Sequence, residues 1–185
     1  MARPDRIEGL AIVSADGMIA DSGGVQPDVL KPEADQRFFH DELDKADALA
    51  HGRHSGEGGP RAGQRRRLIL TRRVAGLSRD PGNARTVHWN PEGASLQDAW
   101  DALGLAGGSL AVIGGTAVFG LFLELGYDAF HLTRVPGVRL PGGRPVFPGI
   151  PPDTPEDLLG RHGLKPGPMR LLDASTGLGI VTWRR

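Results

Sequence analysis

The sequence predicts a three-layer α/β domain with a mainly parallel central sheet and a C-terminal antiparallel hairpin. Three observations carry this: apolar runs of strand length end in glycine- or threonine-bearing turns, helical apolar spacing follows several of them, and two β-type runs flank Ser175-Thr176-Gly177 near the end of the chain.

Ile7 to Ala15 mixes Ile, Leu, Ala and Val with little polarity, as expected of an interior strand covered on both faces. Asp16-Gly17 makes a turn, and Met18, Ile19 and Ala20 resume the apolar character. Asp21 to Pro32 is rich in Gly, Pro and Asp, a loop long enough to act as a lid. A helix starts at Pro32 or Glu33, where proline and acidic residues suit the first turn, and Phe38, Phe39, Leu43 and Ala46 form its buried stripe. Asp47 to Ala50 is a short strand that runs into the turn His51-Gly52-Arg53-His54-Ser55.

The polar, basic stretch Gly56 to Arg67 leads to a strand at Leu68, Ile69 and Leu70, which ends in Thr71-Arg72-Arg73, and Val87 to Trp89 forms another. Ser95 is the N-cap of a helix through Leu103, with Asp98 three residues on and Leu96, Ala99, Trp100 and Leu103 facing inward. Leu110 to Ile113 is a buried strand that enters Gly114-Gly115 and then a helix. Ala129 to Val135 is a strand, Pro136 to Pro155 an irregular loop, and Met169 to Asp173 with Ile180 to Trp183 the terminal hairpin.

At 185 residues the chain is expected to form one domain, 1–185, with one active site. Lys and Arg together equal Asp and Glu at 22 each, so general attraction to nucleic acid or to an anionic membrane is not expected, and any anion site must be local. Without cysteine there is no disulfide, thiolate nucleophile or cysteine-ligated metal. The opening MARPDRIEGLAIVSADG lacks the apolar core of a signal peptide, and no run approaches the roughly 20 apolar residues of a membrane span. The cytoplasm is the expected location.

In a parallel sheet the ligand crevice lies at the carboxyl ends of the strands, and the turns after Ala50, Leu70 and Ile113 are such ends. Gly114, Gly115 and Thr116 offer backbone N–H groups at a helix start, where the dipole favours an anion. The alternative is that the two glycines only make a tight turn. Arg53, His54 and Ser55 add charge and a hydroxyl, and Thr71, Arg72 and Arg73 suit a further phosphate such as the one that separates NADP from NAD. No G-x-G-x-x-G follows any strand, so a dinucleotide would be bound by another plan than the ordinary Rossmann turn. His51 and His54 lack a third ligand at matching spacing, so no metal is expected. Asp35 stands where the loop meets the first helix. It is either a carboxyl that bonds the edge of a heterocycle and assists protonation, or a surface acid that favours the helix dipole.

With these pieces assembled the chain resembles the dihydrofolate reductase superfamily, including the reductase domain of riboflavin-biosynthesis deaminase-reductases, over Ile7 to Arg185. The resemblance rests on VIGG followed by a helix, FHLTRVP at Phe130 to Pro136, HGRHS at His51 to Ser55 and RLILTRR at Arg67 to Arg73. It implies a dihydrofolate-reductase-like fold with a sheet of about eight strands, NADPH across the strand ends, and hydride transfer to a pterin or pyrimidine.

By position, Ile113, Gly114, Gly115, Thr116, Ala117 and Val118 then fall at the diphosphate loop, and Gly52, Arg53, His54 and Ser55 at the turn on the cofactor phosphates. Thr71, Arg72 and Arg73 fall at the adenosine phosphate, and Ala11, Ile19 and Ala20 beside the nicotinamide. Asp35 with Phe39 resembles a folate reductase's carboxylate and aromatic pair, and Ile12, Arg65 and Thr133 fall near its other substrate contacts. QPDVLKPEAD lacks the tryptophan typical of folate reductases, and Phe119 replaces their usual tyrosine. SADGMIAD and KADALAHGRHS are more similar to the riboflavin-pathway branch, although no deaminase domain precedes them and the segment from Ser55 to Leu68 is short, as in folate reductases.

The resulting expectation is an NADPH-dependent reductase of a small heterocycle, most like 5-amino-6-(5-phosphoribosylamino)uracil reductase. The alternatives are a dihydrofolate reductase and, in another class, a non-catalytic nucleotide-binding protein. A homodimer is expected by analogy with riboflavin-pathway relatives.

Overall fold

The computed structural model describes residues 2–185. In chain order the elements are β1 (Arg6–Val13), β2 (Met18–Ala20), α1 (Glu33–Lys45), β3 (Ala48–Gly52), β4 (Arg67–Leu70), β5 (Leu77–Arg79), β6 (Thr86–Trp89), α2 (Leu96–Ala102), β7 (Ser109–Val112), α3 (Thr116–Leu125), β8 (Ala129–Arg134), β9 (Arg144–Pro145), α4 (Pro155–Arg161), β10 (Lys165–Pro166), β11 (Arg170–Asp173) and β12 (Leu178–Arg184).

The central sheet runs β10-β12-β8-β1-β7-β3-β4-β6-β5, with β11 also beside β12. From β8 to β6 every neighbouring pair is parallel, and β12, β10, β11 and β5 add antiparallel pairs at the two sides. The short pieces β5 and β10 bring the sheet to ten strands, beyond the eight or so that the resemblance implies. A separate small ladder joins β2 to β9.

The alternation of β1 explains the layering. Ile7 and Val13 enter the large core with α2, α3 and α4, where Trp100, Phe119, Phe122, Phe130 and Leu159 are buried. Leu10 points the other way, into a smaller core with Leu43 of α1, Leu49 and Ala111. The expected α1 stripe faces this side, with Leu43 fully buried and Phe38, Phe39 and Ala46 half-buried, because the outer end of that face opens into a cleft.

β1 stops at Val13, short of the expected Ala15, because Ser14 turns the chain: its N–H donates to the Met18 carbonyl and its hydroxyl accepts from the Met18 N–H at 3.0 Å. The Ser95 cap forms as expected, with a full capping box to Asp98. The region 136–155, expected to be wholly irregular, contains β9 and ends at the start of α4, where Thr154 and Asp157 form a second capping box around Pro155 in the first turn. Among the described residues no helix is long and apolar enough to cross a membrane.

Candidate active-site cleft

The carboxyl ends of β7, β3 and β4 lie side by side, since these strands are parallel neighbours. Their turns therefore form one row. Gly52 N–H donates to the Gly114 carbonyl at 2.8 Å, which ties the second glycine turn to the first. Gly114 has φ +108°, a conformation glycine adopts freely, and a Cβ there would come within 2.9 Å of the Phe119 ring. A Cβ on Gly115 would lie 3.2 Å from the Ser55 hydroxyl. The glycines thus leave a bare backbone cradle beside Ser55, and α3 begins there with the unpaired N–H groups of its first turn, from Thr116, Ala117 and Val118.

The charges around this cradle are free. Arg53, Arg72 and Arg73 are exposed and, among the described residues, none forms an ion pair, and His54 is also exposed. Thr71 is buried at the end of β4, where its hydroxyl accepts from the Arg73 N–H at 3.1 Å and shapes the turn. These residues fit a diphosphate with one further phosphate: backbone donors at a helix start, glycines that permit close approach, and three cations without partners.

The cleft beside the cradle has a volume of about 410 Å³, within the usual range for a small-molecule site. Of the residues expected from sequence, it is lined by Ala11, Ile12, Ile19, Ala20, Asp35, Phe39, His54, Ser55, Ile113, Gly115 and Thr133. Gly52, Arg53, Thr71, Arg72, Arg73, Gly114, Thr116 and Ala117 do not line it and belong to the adjoining strand ends, turns and start of α3. Two expected residues point elsewhere. Val118 is buried beside Gly52, so its side chain belongs to the core and only its N–H faces the helix start.

Arg65 does not reach the cleft. Its guanidinium is drawn away by Asp44 at 2.6 Å and Glu57 at 3.2 Å, and it lies in a separate surface depression. Two acids outcompete the cleft for one cation.

Asp35 is the acid of the site. It sits in the first turn of α1, only 6% exposed, and lines the cleft together with Thr133 of β8. Burial pushes its carboxyl up to about 6, against the Thr133 hydrogen bond that favours the ionised form. The helix-dipole role alone would leave this side chain in water, so the surface-acid alternative does not hold.

His51, one of the two histidines considered for metal, is buried. Its Nδ1 donates to the Gly52 carbonyl and its Nε2 accepts from Arg67 at 2.9 Å, and burial lowers its pKa, so it is a neutral strut under the turn.

Sequence reasoning missed Glu57, Lys31, His40 and His131, which also line the cleft. Glu57 has a side chain only 1% exposed and holds Arg67 at 2.6 Å as well as Arg65, anchoring the turn that carries His54 and Ser55. The acid lies in a Gly-rich run, GEGG, that reads as plain loop. His131 was legible only as part of a strand.

No family model and no curated protein matches the chain. Solved structures do match. A pyrimidine reductase-like protein from Corynebacterium diphtheriae aligns with TM-score 0.65 at 17% identity, covering 97% of this chain and 91% of its own. A diaminohydroxyphosphoribosylaminopyrimidine deaminase/5-amino-6-(5-phosphoribosylamino)uracil reductase from Thermotoga maritima gives TM-score 0.64 at 20% identity over 98% of this chain, which spans 56% of that larger protein. A dihydrofolate reductase from Enterococcus faecalis, complexed with NADP(H) and RAB-propyl, gives TM-score 0.59 at 14% identity over 100% of this chain and 99% of its own. The chain has the dihydrofolate-reductase-like fold, which it shares with these pyrimidine and folate reductases.

Proposed function

We propose that this chain is an NADPH-dependent reductase of a small heterocyclic substrate, most like 5-amino-6-(5-phosphoribosylamino)uracil reductase of riboflavin biosynthesis. The observation that carries the reading is Asp35, a buried carboxyl that shares with Thr133 a cleft directly beside a glycine cradle suited to a dinucleotide.

The cofactor, when bound, supplies the hydride, and the chain supplies position and charge. The Gly114-Gly115 cradle and the α3 N-terminus hold the diphosphate. Arg53, Arg72 and Arg73 hold the remaining phosphate. Ala11, Ile19 and Ala20 give an apolar seat that excludes water from the reacting ring, while Ile12 and Phe39 pack against the substrate. Asp35 accepts from the N–H edge of the heterocycle and, with its raised pKa, keeps a proton near the reacting end at mildly acidic pH. Thr133 fixes the orientation of that carboxyl.

A dihydrofolate reductase is the second reading, favoured by the same Asp35–Thr133 pair. Arg65 counts against it: the cation that folate reductases would be expected to turn toward substrate is paired with Asp44 and Glu57 instead. Assays of NADPH oxidation with dihydrofolate and with the ribosylamino-pyrimidine, run on the wild type and Asp35→Asn, separate the two. Under the first reading the pyrimidine is the better substrate, and the variant keeps more of that activity than a folate reductase would. Assembly as a homodimer belongs to the same proposal, and sedimentation analysis tests it.

A further inference from the structure

A second cavity lies on the far side of Phe38 and His131 from the cleft, and at about 610 Å³ it is the larger of the two. Its floor is built from β7, β1, β8 and β12, one wall is α1, and the other is the segment 167–170 that leads into β11. The floor strands are in register: Leu10 pairs with His131, which pairs with Thr182.

The polar groups of the floor and of the α1 wall satisfy one another. His131 Nε2 meets Glu8 at 2.9 Å and its Nδ1 meets Thr182 at 2.9 Å, Glu8 is paired with Arg6, and Glu42 with Lys45 at 2.8 Å. Glu8, Glu42 and His131 come close enough to suggest a cation site, yet Arg6 and Lys45 already neutralise both carboxylates.

Two cations remain. Arg170 and Arg184 line the same cavity and, among the described residues, pair with no carboxylate. The Arg170 guanidinium stands 5.5 Å from the centre of the Phe38 ring, which holds it over the cavity while leaving its N–H fork open. Arg184 rises from β12 on the face that carries Thr182 and Ile180, across from α1. With Arg6 and Lys45 the cavity holds four cations against two carboxylates, and the excess positive charge belongs to the two arginines whose hydrogen-bond donors are unused.

We propose that this cavity is a second binding site, for a phosphate-bearing small molecule held by Arg170 and Arg184. A phosphate carries up to two negative charges and three acceptor oxygens, and a planar guanidinium fork binds such a group through paired N–H donors. Leu10, Phe38 and Ile180 give the body of the ligand an apolar seat. The site does not depend on the reductase reading, because none of its four cations belongs to the cofactor cradle.

Titration calorimetry of the full chain with inorganic pyrophosphate, at ionic strength held constant with sodium chloride, tests the assignment. Arg53 and Arg72 at the cofactor cradle provide the control. Saturable binding is expected in the wild type. Arg170→Gln with Arg184→Gln weakens it by at least about tenfold, the loss equivalent to one or more charge-assisted bonds. Arg53→Gln with Arg72→Gln leaves that binding phase in place. Arg170→Lys with Arg184→Lys, which keeps the charge, retains part of it. Both arginines lie at the surface, so unliganded melting of the Gln pair should match the wild type. No saturable binding in the millimolar range, or binding that survives the Arg170/Arg184 pair and is lost only with the Arg53/Arg72 pair, overturns the proposal.

Discussion

Asp35 shows what a buried acid costs the fold that buries it. Its carboxyl titrates at about 6 in the folded chain against 3.8 as a free side chain, so the folded state holds the proton more tightly. Stability conferred by the protonated acid is therefore present below pH about 4 and lost as pH rises to about 6, a change of order 3 kcal/mol. Asp35→Asn removes this slope: thermal melts of variant and wild type should converge near pH 4, while above pH 6 the variant melts higher. Activity under the proposed mechanism falls as pH rises through the same range. Glu57 acts through the turn it anchors. Glu57→Gln breaks a buried ion pair with Arg67, and such breaks cost about 3–5 kcal/mol. If the turn positions the cofactor, the KM for NADPH rises more than kcat falls, whereas a purely structural anchor leaves that ratio unchanged. The position of Asp35 at the loop-to-helix junction was legible in the sequence, whereas its burial was not, because a cleft acid and a surface acid fit that place equally. Arg65 was misread because its partners, Glu57 and Asp44, lie 8 and 21 residues away and sequence spacing does not reveal them.

At the scale of elements, the two capping boxes and the β1 glycine carry the predictions. Ser95→Ala should cost about 1 kcal/mol, with a similar loss for Thr154→Ala, read as lowered melting temperatures that add when the two are combined. Gly9 has a different constraint: a Cβ there would overlap the Phe130 ring and crowd Tyr127, so Gly9→Ala should destabilise by about 1–3 kcal/mol. The strands of the parallel core and the helices α1, α2 and α3 were legible because apolar period and cap chemistry agree. α4 was missed although Thr154, Pro155 and Asp157 spell its start, because the surrounding proline and glycine mask a helix of only seven residues. β5 was missed because all three of its side chains are exposed, which leaves no hydrophobic pattern to read.

Over the whole molecule, the parallel order β8-β1-β7-β3-β4-β6 decides where chemistry can occur. It aligns the turns after β7, β3 and β4 in one row and sets β8, with Thr133, beside β1 and beneath α1, with Asp35. Sequence order alone cannot supply this adjacency, since β7 comes between β1 and β3 in space but after β6 along the chain. In the folded chain Gly115, the apolar residues Ala11, Ile19 and Ala20, and Asp35 line one cleft. The most direct test of this account is the fall in NADPH absorbance on mixing the wild-type chain with 5-amino-6-(5-phosphoribosylamino)uracil, with Arg53→Gln/Arg72→Gln as a comparison. Substrate-dependent oxidation of NADPH is expected, with a KM for the cofactor raised about tenfold or more in the double variant. Oxidation absent with this substrate and with dihydrofolate, together with no NADPH binding by the wild type, would contradict it.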